Sequence, residues 1–164
     1  MDDPFTLQRF VDAQDLGDAY DGALRELRDG RKRSHWMWFV FPQLTGLGRS
    51  PMAQHFGLCG LPEAGAYLAH PVLGPRLVEG ARVLTELAGS DAARVLGRVD
   101  AQKLRSSMTL FAQAAPREQV FRQVLDQFFA GENDEATTSR LGAPGGCRES
   151  SPPRTTQPWA GHTA

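Results

Sequence analysis

Three short runs hold the side chains that could do chemistry. In the first, His35-Trp36-Met37-Trp38, a histidine stands beside two indoles. An imidazole can give or take a proton near neutral pH, and flat rings stack on a base or another planar ligand. His35 is therefore the candidate acid/base residue, with Trp36 and Trp38 as candidate pocket walls. The competing role is structural. Large aromatics commonly fill cores, with each indole N–H given to a carbonyl, and His35 would then be hydrogen-bonded at the core's edge.

The second run is Lys103-Leu104-Arg105-Ser106-Ser107-Met108-Thr109. On a helix, Lys103, Ser106, Ser107 and Leu110 fall at i, i+3, i+4 and i+7 and share one face. A cation followed one turn later by two hydroxyls suits an anionic or polyol ligand. The same hydroxyls can instead bond back to carbonyls of the preceding turn. The third run is Gln43-Leu44-Thr45-Gly46-Leu47-Gly48-Arg49-Ser50. Glycine N–H groups leading into a helix N-terminus can bind phosphate. The spacing fits neither the Walker nor the dinucleotide fingerprint, and surface loops also use glycine for turning alone. Trp36, Trp38, Gln43, Lys103, Ser106 and Ser107 form the candidate ligand-binding set, for a small polar ligand that could be nucleotide-like.

Other chemistries find little support. His35, His55, His70 and His162 have no ligand spacing with one another or with a cysteine, so no metal site is expected and no cofactor is called for. Cys59 and Cys147 lie far apart without a CxxC, which is no disulfide framework and suits a reducing compartment. Cys59, in an apolar, glycine-flanked context, reads as packing rather than as a thiolate. Glu63, Asp100 and Asp134 read as helix-start residues, not as a catalytic carboxylate pair.

The 164-residue chain has a formal net charge of −1, which favours neither nucleic acid nor an anionic membrane as partner. Arg31-Lys32-Arg33 is a basic run without a nucleic-acid reader motif. No apolar run is long enough to cross a bilayer, and the acidic N-terminus is unlike a signal peptide. The expectation is a cytoplasmic protein with a small-molecule partner. A protein partner is left open, and with it an interaction adaptor that catalyses nothing.

The elements that must position these residues are helical. Asp2-Asp3-Pro4 reads as a helix entry, Phe5, Leu7, Phe10 and Val11 then fall at helical spacing with Thr6 as a candidate cap, and Tyr20, Ala23, Leu24 and Leu27 stripe a second helix over residues 19–29. Short helices are expected over residues 51–56, 63–69 and 91–96, and a longer one after Leu73-Gly74-Pro75. Asp100 should cap a long helix over residues 101–115. Pro116 should begin the last long one, and a further short turn follows Asp134. The aromatic run is apolar nearly throughout, so its periodicity leaves strand and buried helix both open until Pro42. The fold class is all-α: a compact single-domain bundle of several short and two or three longer helices. The domain should occupy residues 1–141. The Pro/Ser/Gly-rich residues 142–164 have almost nothing to bury and should form a disordered tail.

Three stretches carry a family resemblance. They are residues 34–43 with Gly46-Leu47-Gly48 after them, Ala66-Tyr67-Leu68-Ala69-His70-Pro71-Val72-Leu73-Gly74-Pro75-Arg76-Leu77, and Asp100-Ala101-Gln102-Lys103-Leu104-Arg105-Ser106-Ser107-Met108-Thr109-Leu110-Phe111. Together, over residues 5–141, they resemble the uncharacterised bacterial family known as the domain of unknown function numbered 1810, whose members have often been labelled calpastatin. That resemblance implies a compact all-helical fold and brings no established activity. Calpain inhibitors are long, disordered and repetitive, unlike this chain, so the label is not carried over.

Overall fold

The structure, a computed structural model, describes residues 3–142. The expected tail lies outside the described residues except for Gly142, and Cys147, Trp159 and His162 lie there too. The elements in order are α1 (Gln8–Asp15), α2 (Ala19–Arg28), α3 (Met37–Val40), α4 (Pro51–His55), α5 (Leu61–Ala69), α6 (Leu73–Thr85), α7 (Ala92–Leu96), α8 (Arg98–Ala114), α9 (Gln119–Phe129) and α10 (Glu135–Leu141). Among the described residues the fold is all-α, with one isolated parallel bridge between Leu44 and Leu58.

Where the hydrophobic stripes are strong, the elements stand where the sequence puts them. Tyr20, Ala23, Leu24 and Leu27 are the buried face of α2, and Val120, Phe121, Val124, Leu125 and Phe128 that of α9. The centre of the molecule is the packing of α8 against α7 and α9, with α6 behind α9 and α5 beside α8. Leu104, Met108 and Phe111 of α8 meet Tyr67 of α5 and Phe121 of α9 in one core.

The ends differ from expectation for local reasons. Asp3, not Thr6, caps the entry to α1: its carboxylate accepts the N–H groups of Leu7 at 2.7 Å and Gln8 at 2.9 Å, while Thr6 takes φ +55°. Asp100 lies inside the first turn of α8 rather than at its cap. Gly97 is at once the end of α7 and the cap of α8, a one-residue corner at φ +88° that favours glycine. Pro116 sits in the turn before α9, which Glu118 caps through the N–H of Val120. Asp134 caps α10, a true helix of 7 residues.

The aromatic run resolves into a single helical turn, α3, closed by Phe41 at φ −126°, ψ 74° and by Pro42. So short a helix leaves its last carbonyls without intrahelical donors. The Phe39 carbonyl is taken instead by Gln14 Nε2 of α1 at 2.7 Å and by the buried Tyr67 hydroxyl of α5. Burial pushes that hydroxyl above the usual tyrosine range. Trp36, 2 % exposed, fills the space before this turn. Replacing a fully buried aromatic removes both contacts and volume, so Trp36→Ala should cost about 3–5 kcal/mol in denaturant unfolding. A loss below about 1 kcal/mol would mean that the ring is not part of the core.

Candidate functional site

Trp36 is fixed from one side by a residue the sequence reading did not single out. Glu26 Oε1 of α2 accepts the indole N–H at 2.9 Å, and also the backbone N–H groups of Arg33 at 2.7 Å and Ser34 at 3.0 Å. The Ser34 hydroxyl donates to its other oxygen. Partial burial would raise the Glu26 pKa, but the donors from Ser34, Arg33 and Trp36 outweigh it and hold the carboxyl down at about 2. The signal that could have found Glu26 is weak, because an acid ten residues before a tryptophan has no recognisable spacing.

On the other side of the tryptophans lies a three-charge cluster. Lys32 Nζ pairs with Asp100 of α8 at 2.8 Å and stands 5.1 Å from the Trp36 ring centroid. Lys103 Nζ is 3.5 Å from the same carboxylate and 4.7 Å from the Trp38 ring centroid. Each ammonium thus lies over an indole face, the position where the ring quadrupole attracts a cation. Two lysines share one aspartate, so the cluster keeps one positive charge. Within the basic run, Lys32 is a half-buried structural cation and Arg33 pairs with Asp29.

Lys103 also lines a surface groove of about 510 Å³ between the 43–48 loop, the first half of α8 and the start of α10. Gln43, Leu47, Arg98, Val99, Gln102 and Ser106 form its walls. Its floor includes the buried carboxylate of Asp134. That carboxylate accepts Gln102 Nε2 at 2.7 Å, the Ser106 hydroxyl at 3.1 Å, and the Thr137 N–H and hydroxyl at 3.0 and 2.6 Å. The loop wall is held by Arg140, whose guanidinium donates to the Gly46 carbonyl at 3.1 Å. A Cβ at Gly46 would lie 2.7 Å from that guanidinium, and its φ is +92°. Gly48 must be small for another reason: its Cβ would come within 2.7 Å of the Ala53 Cβ on α4. The loop glycines therefore serve close approach, and Ser50 caps α4 through the Ala53 N–H.

Of the candidate residues, Gln43, Lys103 and Ser106 meet in this groove. Trp38 is next to it: with Gln43, Lys103 and the apolar Met37, Phe41 and Phe56 it lines a smaller inner cavity. Trp36 is in the core. Ser107 is fully buried on α8, and its hydroxyl has no hydrogen-bond partner; the Trp38 indole nitrogen has none either. His35 is exposed on the loop before α3 and lines neither cavity. Arg98, Gln102 and Asp134 are groove residues absent from the sequence-based set. Arg98 and Gln102 precede Ser106 at four-residue steps, so extending the face backwards would have found them. Glu63, buried, pairs with Arg9 at 3.0 Å and accepts the Cys59 N–H.

The family model described as "Protein of unknown function (DUF1810)" matches residues 4–141. Among solved structures, the conserved hypothetical protein Rv1873 from Mycobacterium tuberculosis is similar with a TM-score of 0.83 and 48 % identity, covering 86 % of this chain and 99 % of its own. No curated protein matches. No helix among the described residues is long and apolar enough to cross a membrane.

Two outcomes follow from this geometry. A carboxyl held at about 2 instead of 4.5 stabilises the fold fully above pH 4.5, and that stability is lost as the pH falls towards 2. With solvent screening the effect should be about 1–2 kcal/mol. Urea titrations across this window should show a shallower pH slope for Glu26→Gln than for the parent, and parallel slopes would rule the linkage out. Ser107→Ala removes a buried hydroxyl that satisfies nothing, so it should leave the melting temperature unchanged or raise stability by up to about 1 kcal/mol. Marked destabilisation would show that the hydroxyl has a partner.

Proposed function

For this chain, which belongs to the DUF1810 family, we propose binding of a small polar ligand, nucleotide-like ones included, in the groove between the 43–48 loop, α8 and α10. One observation carries the reading. Gln43, Lys103 and Ser106, drawn from two separate sequence runs, line a single cavity of about 510 Å³, a size in the range of small-molecule sites. Leu47 and Val99 supply apolar wall, and Lys103 links the groove to the Trp38 face. No reaction is assigned. His35 would have to act from outside the groove.

A second reading, a non-catalytic interaction or regulatory adaptor, is favoured by Val99, an apolar side chain 69 % exposed at the groove's wall, and by the internal saturation of Trp36. The two are separable. A thermal-shift screen of nucleosides, nucleotides and sugars should yield a stabilising ligand whose affinity falls about tenfold or more in Gln43→Ala and Lys103→Ala. His35→Ala should leave it unchanged. A ligand whose affinity ignores Gln43 and Lys103 would refute the groove. No stabilising ligand, together with a purified partner lost on Val99→Asp, would favour the adaptor.

A further inference from the structure

We infer that the groove contains an oxyanion subsite in which Arg98 and Lys103 receive a phosphate group of the ligand. The inference rests on the groove being the ligand site, and it follows from which groups there still have hydrogen-bonding capacity. Asp134, the groove's carboxylate, already accepts four donors. One N–H of the Gln102 amide and the Ser106 hydroxyl are given to it. What remains points the other way. Arg98 is exposed, and among the described residues its side chain has neither an ion pair nor a hydrogen bond. Lys103 lies over the Trp38 face and makes one ion contact, at 3.5 Å to Asp100, whose closer partner is Lys32, so its ammonium N–H groups keep donor capacity for a ligand. The Gln43 side-chain amide is uncommitted.

The free capacity is therefore mainly donors, two of them cationic, in a chain whose formal net charge is −1. A guanidinium and an ammonium in one cavity suit a dianionic tetrahedral group better than a neutral ligand, because each can give charge-assisted hydrogen bonds to separate oxygens. The Leu47 and Val99 walls leave room for an apolar or planar body beside the phosphate. The shared chemistry is a phosphoryl group, whether free or carried by a nucleotide.

The test is a heteronuclear NMR titration of the full chain at low ionic strength with inorganic pyrophosphate, ADP and adenosine. Saturable shifts should appear at Gln43, Arg98 and Lys103 with pyrophosphate and with ADP. Tighter binding of ADP than of pyrophosphate would mean the phosphate is read as part of a nucleotide; equal binding would mean the phosphoryl group alone is read. Arg98→Gln, at an exposed first helical position, should weaken both by about tenfold. Arg117→Gln, beyond the opposite end of α8, should not. Equal weakening by the two arginine variants would reduce the effect to general charge screening and overturn the subsite. Binding of adenosine with no gain from phosphate would overturn the subsite but keep the ligand groove. Silence with all three probes would overturn both.

Discussion

The carboxylate of Glu26 is the constraint on which the surrounding architecture depends. Between α2 and α3 the chain runs through residues 29–36 without a helix, and its backbone N–H groups must find partners elsewhere. Glu26 takes those of Arg33 and Ser34 and also the Trp36 indole. The Lys32 N–H goes to the Val95 carbonyl at 2.7 Å. With these bonds made, Trp36 has one place to stand, α3 starts where it does, and Phe41 meets Trp36 at a centroid distance of 6.3 Å. The same loop carries Lys32 to Asp100, so one acid on α2 indirectly sets the charge environment at the start of α8. A hydrogen-bonded carboxylate with four donors is a strong anchor because each bond to a charged acceptor is worth more than a neutral one.

Helix α8 does two jobs along its length. Its second half is core: Met108, Leu110 and Phe111 are fully buried. Its first half is amphipathic around a polar seam, with Arg98, Gln102 and Ser106 on one line and Lys103 beside it. The hydroxyls in this helix show how context divides like residues. Thr109 bonds back to the Arg105 carbonyl at 2.8 Å and also accepts the Asp134 N–H at 2.9 Å. Ser106 spans the Gln102 carbonyl and Asp134. Ser107, one position on, faces the core with nothing to bond.

What was legible in the sequence follows the physics of each signal. Stripes such as Val120-Phe121 with Val124-Leu125 declare a helix because periodicity is read over several turns. Helix ends were read less well. Gly97 serves two helices at once, and Asp3 reaches forward past Thr6 to cap α1, arrangements that depend on chain direction rather than residue type. The aromatic run could not be classified because an apolar face cannot be told from an apolar interior without knowing what covers it. For the site, the i, i+3, i+4 spacing on α8 pointed to Lys103 and Ser106, which line one groove, and to Ser107, which lies in the core. Whether that line meets Gln43 depends on Arg140 holding the Gly46 carbonyl, a contact between residues 94 apart in the chain. His35 shows the limit of adjacency: neighbouring Trp36 is buried while His35 is exposed, since the chain turns between them.

The interactions that build the groove also decide which chemistry it has left. Asp134 is the nearest thing in it to a general base, yet its oxygens hold the first turn of α10 through Thr137 and tie that helix to α8 through Gln102 and Ser106. Those bonds position the groove's own wall, including Ala136. Asp100 is similarly engaged between two lysines. Both acids are committed to structure, whereas Arg98 is uncommitted and Lys103 only weakly so. A groove whose lining carboxylate is engaged by four donors, while its two cations keep donor capacity, is better suited to negative charge than to a proton-transfer reaction at its acid.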